Sequence, residues 1–107
     1  MSGMDDREKG LEGRYAHDQE LEFKATVRRN KMLGLWVAEQ LGKTGDDAEA
    51  YAKEVIKSDF EEAGHEDVYR KVKGDLDAAG VDVSEHTVRT KMDQFLAEAR
   101  EQVMQAG

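Results

Sequence analysis

Asp46-Asp47-Ala48-Glu49-Ala50-Tyr51-Ala52-Lys53-Glu54-Val55-Ile56-Lys57-Ser58-Asp59-Phe60 decides the fold class. Ala48, Tyr51, Ala52, Val55, Ile56 and Phe60 follow the i, i+3, i+4, i+7, i+8 spacing of one helix face. This helix is predicted to start at Asp46 or Asp47 and to close at Gly64. Just before it, Gly42-Lys43-Thr44-Gly45 supplies a helix stop and a turn. The stop implies an earlier helix, from an N-cap near Asp18 to about Leu41. Its second half (Met32, Leu33, Leu35, Trp36, Val37, Leu41) is apolar over more than one face, which marks a central helix with several neighbours.

Downstream, Val68, Tyr69, Val72, Leu76 and Ala79 give a third stripe over about Glu66 to Ala79, ended by Gly80. Val81-Asp82-Val83 is too short for a strand, and Ser84 caps a fourth helix. Val88, Met92, Phe95, Leu96, Ala99 and Val103 form its core face. Short connections favour antiparallel neighbours, so the expectation is an all-α four-helix bundle. The 107 residues contain no proline, so nothing in the sequence forces a helix to break.

Composition narrows the function classes. Without cysteine there is no disulfide, thiolate metal site or thiol nucleophile. No apolar run approaches the roughly 20 residues of a spanning helix, so a cytoplasmic protein without membrane insertion is expected. A net charge of −8 opposes nonspecific binding to nucleic acid or anionic lipid. One local exception is the basic block Lys24, Arg28, Arg29 and Lys31, in a stretch without an acidic residue between positions 23 and 38. It reads either as a solvated helix face or as a partner contact.

No pattern points to catalysis. Gly42-Lys43-Thr44 resembles the end of a phosphate-binding loop, but position 37 is Val37 where the first glycine should stand, and a helix precedes it. His17, His65 and His86 have no ligand spacing, so no metal site is expected. Trp36 and Phe60 are expected in the core. The competing reading, a small nucleotide-binding helical bundle with a regulatory role, would place a pocket around Trp36, Phe60 and the basic block.

Residues 1–18 stand apart as an N-terminal arm before a bundle of residues 19–107. Met4, Leu11 and Tyr15 share one helical face, while Gly10 and Gly13 each cost a helix about 1 kcal/mol. Asp5, Asp6 and Glu8 sit where the first turn of such a helix favours acids. The arm is either a disordered, flexible tail or a segment that folds on a partner.

Asp5-Asp6-Arg7-Glu8, Tyr15-Ala16-His17-Asp18, Arg28-Arg29-Asn30, Leu33-Gly34-x-Trp36 and the run from Lys57 to Val68 resemble the zeta-subunit family. Its members inhibit the F-type ATP synthase of alphaproteobacteria. The likeness covers nearly the whole chain and weakens around residues 79 to 88 and at the C-terminus. It implies a non-enzymatic four-helix bundle whose N-terminal segment becomes helical at a catalytic α/β interface of the ATPase head, next to rotor subunit γ. The inhibitory contacts it implies are Met4, Asp5, Asp6, Arg7, Glu8, Leu11, Arg14 and Tyr15; a secondary contact at Lys24, Arg28 and Arg29 is read from the basic block itself. It also implies a location peripheral to the inner membrane. The free protein is expected to be a monomer without a cofactor, apart from weak ATP or ADP binding associated with the family.

Overall fold

In chain order the helices are α1 (Ser2–Gln40), α2 (Gly45–Ser58), α3 (Glu66–Ala78) and α4 (Glu85–Ala106). This computed structural model describes residues 2–60 and 66–106, with side chains for residues 19–60 and 66–105. The all-α, four-helix expectation holds.

Glycine ends two helices by the same backbone device. At Gly42 (φ +80°) the Lys43 N–H donates to the Ala38 carbonyl at 2.8 Å and the Gly42 N–H to that of Glu39 at 3.1 Å. These are the paired bonds of a Schellman cap, which requires the left-handed conformation that glycine adopts without strain. Gly80 (φ +74°) repeats it, with Val81 N–H on Leu76 at 2.9 Å and Gly80 N–H on Asp77 at 3.0 Å. At the start of α4, Ser84 Oγ accepts the Thr87 N–H at 3.1 Å, so the predicted residue caps the helix. Of the two glycines at the phosphate-loop look-alike, Gly42 is thus a helix cap, and Gly45 opens α2, one residue before the predicted start.

Two further boundaries differ from the sequence reading by more than a residue. The backbone of α1 passes through Asp18 without a break, where a start was expected. The other end that moved is that of α2, at Ser58 instead of Gly64, which lies outside the described residues. There the Asp59 and Phe60 N–H groups bond three residues back, at 3.3 and 3.1 Å, tightening the last turn. The Asp59 carboxylate is meanwhile drawn away to α1, where Asn30 Nδ2 donates to it at 2.9 Å.

α1 touches all three other helices, which makes it the central helix its apolar second half predicts. The main core joins Leu33 and Val37 of α1 to Tyr51 and Val55 of α2, Val68, Val72 and Leu76 of α3, and Val88 and Met92 of α4. Gly34 makes the α1–α2 approach close: a Cβ there would lie 2.6 Å from Ala52 Cα. Trp36 packs on the edge of this core, with Lys91 Nζ 5.7 Å from its ring centre.

A second, smaller cluster lies toward the other end of α1. It joins Ala25 to Ala99 and Val103 of α4, flanked by Leu21, Met32 and Leu96. Small residues let the two helices lie close, and Arg100 clamps them through a two-pronged pair with Glu22, Nη2 to Oε1 at 2.6 Å. Among the described residues, the core contacts of this half of α1 are with α4, and the end of α2 reaches it only through Ile56, Asp59 and Phe60.

Candidate interaction surface

Among the described residues, a face of α1 lies open beyond the end of α2. Phe23 is 57 % exposed and Phe60 is 61 % exposed, and their ring centres lie 6.1 Å apart at 41°. Phe60 was expected in the core. It follows the stripe of α2 by four residues from Ile56, but the helix has already ended, so the ring leans on Phe23 at the surface instead of entering the bundle. A groove of about 540 Å³ opens beside this pair, lined by Leu21, Phe23, Val27, Ile56 and Val103, with the stems of Lys24, Arg28 and Lys31.

Helix phase divides the basic block in two. Lys24, Arg28 and Lys31 are exposed, at i, i+4 and i+7 on one ridge of α1. Lys24 pairs with Glu20 at 3.4 Å, and Arg28 donates to Gln102 of α4 at 3.3 Å. Arg29 faces inward and is 2 % exposed. Its Nε donates to Asn30 Oδ1 at 2.7 Å, and Asn30, 1 % exposed, passes the chain on to Asp59. Burial pushes the Arg29 guanidinium below its ordinary pKa, while the Asp59 and Asp93 carboxylates favour its charge. Arg29 therefore holds α1 to the end of α2, and Lys24 and Arg28 of the expected secondary contact stand on the outside. The i+4 series Ala25, Arg29, Leu33, Val37 was the sequence signal for this inward phase.

Of the competing pocket, Phe60 and the basic ridge come together and Trp36 stands apart. Trp36 and Phe23, the partner of Phe60, lie thirteen residues apart on α1, about 20 Å at the helical rise. Among the described residues no cluster of His, Cys, Asp and Glu could hold a metal ion, and no helix is long and apolar enough to cross a membrane. His86 is exposed on α4. The side chains of Met4, Asp5, Asp6, Arg7, Glu8, Leu11, Arg14, Tyr15 and His17 lie outside the described residues, as does His65.

A body of four helices with an exposed aromatic pair beside a basic ridge defines a class: a small all-α protein. The model of the ATPase inhibitor subunit zeta family matches residues 1–102, and the chain belongs to that family. It is thus an ATPase inhibitor subunit, a non-catalytic regulator whose membership implies association with the ATP synthase. A structure solved by solution NMR is 57 % identical, with a TM-score of 0.71, covering 81 % of this chain and 99 % of that one. Among curated proteins no match was found.

Proposed function

We propose that this chain blocks ATP hydrolysis by inserting residues 1–18 as a helix at a catalytic α/β interface of the ATPase head, beside rotor subunit γ. The observation that carries this reading is a division of labour along the sequence. Both core clusters, drawn from positions 21 to 103, tie the four helices into one body. Yet the family match runs back to residue 1. The arm carries its own apolar face, Met4, Leu11 and Tyr15, with Asp5, Asp6, Arg7, Glu8 and Arg14 around it.

Ordering a residue costs about 1–2 kcal/mol, and burial of that face in a subunit cleft offsets the cost. A helix wedged in a cleft that must close during hydrolysis opposes the closure, and the bundle acts as a stop that prevents the wedge from passing further. Binding then occurs on the cytoplasmic side of the membrane, at the head. Deleting residues 2–18 should leave the helical circular dichroism signal per residue and the unfolding midpoint close to those of the full chain. Inhibition of ATP hydrolysis by the cognate head should be abolished. Equal inhibition by the truncated protein would refute the reading.

A further inference from the structure

We infer that the face formed by Lys24, Arg28 and Lys31 with Phe23, Val27, Ile56 and Phe60 is a second docking site, and that its occupant is an acidic amphipathic helix of the ATPase head. The inference rests on the proposed partner but concerns a surface distinct from the arm.

Charge complementarity selects the occupant. The chain carries a net charge of −8, yet residues 23–38 hold four cations and no acid. One of the four, Arg29, is turned inward, so three project from the surface. A surface of this sign on an otherwise acidic protein attracts a negatively charged segment and disfavours the rest of the protein's own kind. Spacing selects a helix. Lys24, Arg28 and Lys31 repeat at i, i+4 and i+7, spanning about 10 Å of helix axis. A helix lying along α1 presents carboxylates at the same interval, each one turn from the next.

The apolar strip sets the orientation. Phe23 and Val27 run parallel to the basic ridge, and Ile56 and Phe60 close the strip from the α2 side. The approaching helix must therefore carry an apolar row adjacent to its acidic row, the arrangement that fits a helix into a groove. Two half-exposed aromatic rings at 6.1 Å supply anchors of the kind that dominate interface energetics. Phe60 is held beside Phe23 by the buried relay from Arg29 through Asn30 to Asp59, so the strip is ordered before the partner arrives. Pre-ordering lowers the cost of association. Position along the chain adds a further argument. Phe23 and Lys24 lie within two turns of Asp18, so a head that holds the arm has this face at its rim.

The test measures binding of the full chain to the purified cognate head by biolayer interferometry at low and physiological salt. Lys24→Glu, Arg28→Glu and Lys31→Glu together should weaken affinity by at least about tenfold, chiefly in the association rate, and flatten its salt dependence. Phe23→Ser with Phe60→Ser should act chiefly on the dissociation rate, by a similar factor. Lys24→Arg with Lys31→Arg should bind as the parent does. Every altered side chain is exposed, and unchanged circular dichroism and thermal midpoint confirm the fold. Leu11→Asp with Tyr15→Asp, in the arm, should lose inhibition while retaining weak, salt-sensitive binding. Parental affinity in both surface variants would overturn this inference and leave the arm reading standing. Full inhibition by the arm variant would overturn the arm reading instead. Loss of binding to phosphatidylglycerol vesicles, or of self-association in sedimentation velocity, with unchanged affinity for the head would assign the face to lipid or to a second copy and overturn the inference.

Discussion

Replacing Gly34 by alanine and, separately, Gly74 by alanine should move stability in opposite directions. Both glycines lie inside helices, where alanine is favoured by about 1 kcal/mol. At Gly74 a new Cβ meets nothing within 4 Å, so the whole gain is realised and Gly74→Ala should stabilise by about 1 kcal/mol. At Gly34 the new Cβ lies 2.6 Å from Ala52 Cα, 3.1 Å from Ala52 Cβ and 3.3 Å from Val55 Cγ2. The nearest atom is backbone and cannot swing aside, so α1 and α2 must part by about 1 Å to restore a normal contact. Overpacking of this kind costs about 1–3 kcal/mol, and with backbone as the obstacle the upper part of that range applies, so the propensity gain is outweighed and a net loss of up to about 2 kcal/mol remains. Urea unfolding followed at 222 nm reads the difference. With a slope of about 1–2 kcal/mol per molar, the midpoint should fall by about 1 M for Gly34→Ala and rise by about 0.5 M for Gly74→Ala. If Gly34→Ala raised the midpoint as Gly74→Ala does, the close approach of α1 and α2 would be refuted.

Asp59→Ala should destabilise by about 2–3 kcal/mol in the same assay, because Asn30 loses its acceptor and buried Arg29 loses its strongest compensating charge. Ser84→Ala should cost about 1 kcal/mol by leaving the Thr87 N–H without its cap, and Ser84→Asp should restore it. Burial and the bond from Tyr51 Oη to Asp75, 2.8 Å long, raise the Tyr51 phenol above its ordinary value. A raised folded-state pKa contributes stability that is complete below the unfolded value of about 10 and fades above it. The parent should therefore lose stability as pH rises beyond about 10, and Tyr51→Phe should lose less over the same interval in urea titrations.

Local signals made much of this architecture legible in the sequence. The α2 and α3 stripes, the glycine stops at Gly42 and Gly80 and the cap at Ser84 depend on residues within one or two turns of each other. What escaped depends on distance. The bond that ties the end of α2 to α1 joins Asp59 to Asn30, twenty-nine residues away, and no periodicity in α2 reports it. Phe60 extends the apolar spacing perfectly, so its position outside the core follows from the helix ending early. The basic block was visible as a block, but Arg28 and Arg29 are alike in composition and differ only in phase. Gly34 is one glycine among ten, and its role emerges only when Ala52 is placed against it. The open aromatic and basic face combines all of these, and so it became visible only in three dimensions.

The cover that α4 gives to the first half of α1 also fixes an order of events during synthesis. Leu33 and Val37 can meet Tyr51, Val55, Val68, Val72 and Leu76 as soon as α3 has left the ribosome, whereas Ala25 must wait for Ala99 and Val103. A nascent chain can thus begin the far end of its core first, and the stretch adjoining the arm is seated later, once the second half of α4 is available. Premature termination anywhere before position 99 would leave that stretch unclamped. The Glu22–Arg100 seam is in this sense a checkpoint: it forms only after synthesis has passed Arg100.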